Sequence, residues 1–292
     1  MSNGVVKSGA AVKGLLSEGF TVEEIDSPLQ SLLEARIAQQ ELVDAVEART
    51  IAVRGSAAPY IVGGDGRPSH VWYASYGSNM ARERMLCYLE GGSPRGSEMV
   101  QVGARNSALP VNDVPVRLPG SVFFSGRSRR WQNGGGAFYD PTVSGVALGR
   151  AYLLTMEQFD DVVAQECGLF PGDKTVDVGG VLRSPDGRLV EPGLYGTLVH
   201  VGDLTGFPVL SFTGPFSAAE AKVGGLYVNA GGALVSGVVS DAELGDGARE
   251  VFWNAPSVAY RELVGLGLRE TFGFSDVDVE TYFAGAAGAA II

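Results

Sequence analysis

The sequence predicts an α+β protein, a largely antiparallel sheet or small mixed β-barrel with flanking helices, preceded by an N-terminal helical extension. Three observations carry this. Short β-branched and aromatic runs recur from Val71 onward, yet helices do not follow them one for one, so a doubly wound parallel sheet fits poorly. The C-terminal segment keeps a helical apolar period. A Gly/Pro stretch at residues 63–68 separates both from a helical pattern upstream. These divide the chain into residues 1–70 (helical extension and linker), 71–284 (main domain) and 285–292 (Gly/Ala-rich tail).

In the extension, Thr21 with Glu24, and Ser27 with Gln30 behind Pro28, are successive helix starts. Leu29, Leu32, Leu33, Val43 and Val46, with Ile37 near the same face, predict an amphipathic helix ending near Arg49. That helix either packs on the main domain or engages a protein partner or a second copy.

Val71, Tyr73 and Ser75 alternate with Trp72, Ala74 and Tyr76, the pattern of an aromatic-rich strand. Gly77 breaks it. Asn79 is placed to cap a helix that can bury Met80, Met85, Leu86 and Leu89 and that stops at Gly91-Gly92. Further strands are expected at residues 121–125, 137–139, 146–154, 176–181, 194–201 and 226–228. Thr155 with Gln158 opens a helix that ends at Gly168. Tyr260, Leu263, Val264, Gly267 and Leu268 fall on one helical face before Gly273, and Ser275 with Asp278 starts a short helix that can bury Tyr282 and Phe283.

Composition excludes several function classes. A formal charge of −11 without a dense Lys/Arg stripe argues against nucleic acid, and the one basic cluster, Arg127-Ser-Arg129-Arg130, reads as a solvated turn. Cys87 and Cys167 form neither a disulfide framework nor, with His70 and His200, a metal-ligand spacing. No apolar run approaches the ~18 residues that span a bilayer, and no signal peptide is expected. The expectation is a cytoplasmic protein with reduced thiols, without a membrane or nucleic-acid partner.

Three segments have the residue types for chemistry. The strand–loop–helix junction at Tyr76, Gly77, Ser78, Asn79 and Met80 can hold a carboxylate or phosphate on free N–H groups at a helix start. In the helix after Thr155, Glu166 lies in line with Phe159, Val162 and Val163 and shares the core-facing stripe; Glu157, Asp160 and Asp161 lie off it and are expected in solvent. Apolar surroundings favour a protonated carboxyl, which suits a general acid/base near neutrality; at a fraying helix end, Glu166 could instead turn to water or pair with an arginine. Trp131-Gln-Asn-Gly-Gly-Gly136-Ala137 lets backbone approach a ligand or neighbouring strand closely, or forms a plain hairpin turn. Nucleophile readings, Cys167 with His200 or Ser78 with His70 or His200, lack a local signature.

Together these segments resemble the gamma-glutamylcyclotransferase-like family. Tyr76-Gly77-Ser78-Asn79-Met80 is similar to that family's Tyr-Gly-Ser-Asn-Leu substrate loop, and residues 131–137 to its Trp-x-Gly-Gly-x-Ala turn. Gln165-Glu166 is similar to its acid/base site, although Cys167 stands between the glutamate and Gly168. Pro256-Ser257-Val-Ala-Tyr260 is similar to its C-terminal Pro-Ser-x-x-Tyr segment. The resemblance covers about residues 71–284 and implies that family's fold, a small mixed β-barrel with flanking helices. It also implies a γ-glutamyl small molecule as substrate, cyclised to 5-oxoproline with release of an amine, and requires no metal or organic cofactor. Glu166 would be the general acid/base; Tyr76, Gly77, Ser78, Asn79, Met80, Gly135 and Tyr260 would bind substrate.

Overall fold

The computed structural model describes residues 27–46, 49–50, 60, 62–97, 99–229, 233–236 and 248–289. The helix start at Thr21 and Glu24 and the last three tail residues lie outside them. The fold is mixed α+β. Helices are α1 (Ser27–Ala45), α2 (Arg82–Glu90), α3 (Met156–Glu166), α4 (Val178–Arg183), α5 (Ala218–Val223), α6 (Val258–Phe272) and α7 (Asp276–Ala284). Strands are β1 (Arg49–Thr50), β2 (His70–Ser75), β3 (Asn112–Pro119), β4 (Ser121–Ser128), β5 (Gly134–Asp140) and β6 (Val146–Thr155), then β7 (Arg188–Val190), β8 (Thr197–Leu204) and β9 (Phe207–Thr213), and last β10 (Leu226–Val228), β11 (Leu234–Ser236) and β12 (Arg249–Val251).

Seven strands form one sheet in the order β1-β3-β6-β2-β9-β8-β7. Among the described residues, β1–β3 and β2–β9 are its parallel pairs. β4 and β5 form a hairpin that joins the end of β9, where the Tyr139 amide donates to Thr213 Oγ1 at 2.9 Å. β11, β10 and β12 form a third, small sheet.

The period-two alternation of β2 explains why it is central. Trp72, Ala74 and Tyr76 enter one core with Leu263, Leu268 and Phe283 of α6 and α7, while Val71 and Tyr73 enter a second with Met85, Leu89, Phe159 and Val163 of α2 and α3. A strand covered on both faces is expected to be largely apolar, as Val71–Ala74 are between His70 and Ser75. α1 contributes Val43 to the first core, and its Gln39 Nε2 donates to the Tyr282 carbonyl at 2.6 Å.

Local signals beneath these elements hold closely. Thr155 with Gln158 and Ser275 with Asp278 form complete capping boxes, Ser257 caps α6, and Gly273 ends it at φ 71°. One expected strand is a helix. Residues 176–181 contain the start of α4 because Asp177 accepts from the Gly180 amide at 2.7 Å, an N-cap that redirects the β-branched run. β3 and β9, which contain Pro115, Pro119 and Pro208, and the short strands β1, β7, β11 and β12 were not expected. Pro115 stands opposite Arg150 of β6, and the described β1 residues pair with β3 at Val116 and Arg117.

Candidate active site

β2 delivers the Tyr76–Met80 loop to a cavity of about 400 Å³. Tyr76, Gly77, Ser78, Asn79, Glu166 and Tyr260 all line it, brought together from β2, α3 and α6. Met80 and Gly135 stand behind the wall. Met80 is fully buried beneath α6, its carbonyl accepting from Tyr152 at 3.0 Å and Arg150 at 3.2 Å. A Cβ on Gly135 would lie 2.0 Å from the Asn254 carbonyl oxygen, so this glycine serves the close approach of the 254–257 segment, whereas its neighbour Gly136 faces the cavity.

Asn79 does not cap a helix. Ser78–Met80 is a single 3-10 turn, Ala81 is extended, and α2 starts at Arg82. The buried Asn79 amide instead turns inward, where Nδ2 donates to Glu166 Oε1 at 2.9 Å and to the Tyr73 hydroxyl at 3.0 Å. A charge-assisted bond in a desolvated site outweighs an exposed cap. Asn79 Oδ1 is buried and has no hydrogen-bond partner among the described residues, an acceptor left for a ligand's N–H or for water.

Buried phenols surround this pair. Burial pushes Tyr73 and Tyr195 well above the ordinary tyrosine pKa, and the Glu166 charge adds to the effect. Burial likewise raises Tyr76, whose hydroxyl donates to the Phe212 carbonyl at 2.8 Å. Tyr260 is raised by burial, opposed by hydrogen bonds from the Ala137 amide at 3.2 Å and from Ser78. All four stay protonated near neutrality and surround Glu166 as neutral hydrogen-bonding groups.

The same helix needs a correction at Asp160 and Asp161, expected in solvent. They are 3% and 0% exposed. Asp160 pairs bidentately with Arg67 at 2.8 Å and accepts from the Val176 amide at 3.0 Å; Asp161 pairs with Arg105 and accepts from the Arg105 and Gly172 amides at 2.8 and 2.9 Å. Cationic partners and amides from distant loops satisfy them, which helix periodicity cannot foresee. Glu157 is half-exposed as expected.

Sequence reasoning missed Arg84, Tyr88 and Tyr195 and placed Arg130 in a solvated turn. Arg127 and Arg129 are exposed, but Arg130 reaches back so that its Nη1 donates to the buried Tyr88 hydroxyl at 3.2 Å. The i, i+4 spacing of Arg84 and Tyr88 on α2 was the available signal.

The nucleophile readings lose their geometry. Burial pushes the Cys167 thiol up to about 11, opposed by Lys174 and reinforced by Glu166, so little thiolate forms near neutrality. His200 sits on β8 against Asp203 at 3.1 Å, outside the cavity lining, and His70 is at the far end of β2, roughly 17 Å along the strand from Ser75. Iodoacetamide labelling of Cys167, followed by mass spectrometry, should be slow at pH 7 and accelerate until about pH 11. Cys167→Ala should leave any 5-oxoproline formation intact; its abolition would reinstate the thiol.

Among the described residues, no helix is long and apolar enough to cross a membrane. No protein-family model matches the chain. An alignment of 159 positions, covering 51% of this chain, is 37% identical to histone deacetylase 5 of Arabidopsis thaliana. The match covers 24% of that protein, and the activity in its name is that protein's. Among solved structures, the chain is similar to a gamma-glutamyl cyclotransferase with a TM-score of 0.36 and 14% identity, covering 73% of this chain and 86% of the other. It is also similar to an uncharacterized protein from Homo sapiens with a TM-score of 0.35 and 13% identity over the same shares.

Proposed function

We propose that this chain is a cofactor-independent cyclotransferase that converts a γ-glutamyl amide to 5-oxoproline and a free amine. One observation carries the reading: Glu166 and the Tyr76–Asn79 loop, 87 residues apart at their contact, meet in one cavity through the 2.9 Å Asn79–Glu166 hydrogen bond.

The nucleophile is already in the substrate. The free α-amine of the glutamyl group attacks its own γ-carbonyl, the carbon–nitrogen bond to the departing amine breaks, and a five-membered lactam remains. The protein's task is to fold the chain into an attacking conformation and to move two protons. The ammonium loses two protons on its way to the lactam N–H: Glu166 takes one before attack, which passes to water, then takes the second from the nitrogen of the tetrahedral intermediate and returns it to the departing nitrogen as the carbon–nitrogen bond breaks. The amides of Gly77, Ser78 and Asn79, with the Ser78 hydroxyl, hold the α-carboxylate or the oxyanion of the tetrahedral intermediate. Asn79 keeps the Glu166 carboxylate aimed at the loop, and Tyr76 and Tyr260 brace the loop's two sides.

A non-catalytic ligand-binding protein on the same fold is the competing reading, and the loop would serve it equally. The position of Glu166 supports catalysis, since binding alone has no need of an acid/base there. Incubating the full chain with a panel of γ-glutamyl amines and quantifying 5-oxoproline tests the proposal. Binding without product supports the competing reading.

A further inference from the structure

The cavity wall beside the Asn79–Glu166 contact holds a fully buried cation, Arg84, and a half-buried one, Arg130, that the proposed proton transfers do not use. Arg84 is 1% exposed, and its guanidinium lies over the Tyr88 ring at 4.2 Å and near the Trp131 ring at 5.9 Å. Arg84 Nη2 and Arg130 Nη1 both donate to the Tyr88 hydroxyl. With the Gln101 amide oxygen facing them, that oxygen accepts from Arg84 Nη1 at 3.2 Å and from both Arg130 Nη atoms at 3.0 Å, while the amide nitrogen donates to Gln165 Oε1 at 3.2 Å. Among the described residues, Arg84 Nε is buried without a hydrogen-bond partner.

Two guanidinium groups thus share two neutral oxygens. Among the described residues, neither forms an ion pair with a carboxylate, although Asp44, Asp113, Asp160, Asp161 and others are paired with arginines elsewhere in the same molecule. Removing like charges from water without a counter-charge is costly, and an anion between them would offset that cost. Glu166 is one candidate within the protein. Burial raises the Tyr88 pKa and the Glu166 charge adds to it, while at Arg130 burial is outweighed by the Tyr88 and Glu166 charges; Glu166 Oε1, however, is already bound to Asn79. Arg127, Arg129 and Arg249 line the cavity on its outer side, together with a single further acid, Glu250. In a chain of net charge −11, such a concentration of positive charge in one cavity marks a place built for an anion.

We infer that Arg84 and Arg130, joined through Tyr88 and Gln101, form an anion subsite that binds a carboxylate or phosphoryl group on the departing half of the substrate. The inference rests on the proposed function for its orientation. The departing nitrogen must lie at Glu166 to receive a proton, and Tyr88 connects Glu166 to the two arginines. An anion carried a few bonds from that nitrogen would therefore reach them. Amines with no acidic group, or with a second positive charge, would leave the arginines unpaired or repel them.

The test compares γ-glutamylalanine, γ-glutamylethylamine, which lacks only the carboxylate of the departing half, and the γ-glutamyl derivative of 1-aminoethylphosphonate. Equilibrium binding is measured by calorimetry with the full chain carrying Glu166→Gln, and 5-oxoproline formation in parallel with Glu166 intact, each alone and combined with Arg130→Gln or Arg130→Lys. The anionic compounds are expected to bind about 30-fold more tightly than γ-glutamylethylamine, as a charge-assisted contact provides. Arg130→Gln should remove most of that preference with γ-glutamylethylamine affected less than about threefold, and Arg130→Lys should restore part of it. The ratio of the carboxylate to the phosphonate compound reports which anion the subsite prefers. Equal binding of charged and uncharged compounds, or equal losses in Arg130→Gln, overturns the subsite. Anion-selective binding without 5-oxoproline leaves the subsite standing and removes the cyclotransferase; turnover without anion selectivity does the reverse.

Discussion

Glu166→Gln is expected to lower kcat for 5-oxoproline formation by about 10²–10⁴-fold while KM changes little. The direction of each effect follows from the contacts. A glutamine oxygen at this position can still accept from Asn79 Nδ2, so the loop keeps its shape and the glutamyl group its binding site. What disappears is a group able to take a proton and return it. The surrounding phenols cannot substitute, because burial holds Tyr73, Tyr76 and Tyr195 well above the ordinary tyrosine range and Tyr260 above it. Steady-state kinetics on any substrate of the panel measures the effect, with melting temperature as the folding control. An unchanged kcat would take Glu166 out of the mechanism.

Asp161→Ala should destabilise the fold by about 2–3 kcal/mol, lowering the melting temperature by roughly 5–10 °C. Arg105 is half-exposed and can recover water when its partner is lost, so the ion pair itself contributes modestly. The larger part comes from the Arg105 and Gly172 amides, which donate to this carboxylate at 2.8 and 2.9 Å and would lose that acceptor. Those two bonds tie the 99–111 loop and the segment after Gly168 to the helix that carries Glu166. Glu157→Ala, one helical turn earlier and half-exposed, should cost less than about 0.5 kcal/mol. Thermal denaturation of the two variants separates the buried carboxylate from the surface one; equal losses would contradict the assignment.

Much of the site was legible because its parts are local. The alternation in β2, the Gly77 break, the Thr155 and Ser275 capping boxes and the α6 face are decided by residues within a turn or two of each other. The sequence likewise placed Glu166 on the same helical stripe as Phe159 and Val163. What it could not show was the long-range polar pairing. Asn79 has the residue type of a helix cap, and only its tertiary neighbour Glu166 explains why its side chain points inward. Asp160 and Asp161 were assigned to solvent because Arg67 and Arg105, on separate loops, are invisible to helix periodicity. Arg130 belongs to a run of three cations that reads as surface, and Tyr88 at the far end of its hydrogen bond makes it part of the cavity. Residues 176–181 failed for a related reason, since the Asp177 cap overrides β-branched composition.

The most direct measurement is a reaction of γ-glutamylalanine with the full chain in water enriched in ¹⁸O, with products resolved by mass spectrometry. Intramolecular attack by the α-amine forms the lactam without water, so the account predicts 5-oxoproline free of solvent oxygen and an equal amount of alanine. Glutamate carrying ¹⁸O in its γ-carboxylate would show hydrolysis by an outside nucleophile. That product, or binding of the substrate with no product at all, would contradict the assignment of the Asn79–Glu166 cavity as the site of cyclisation.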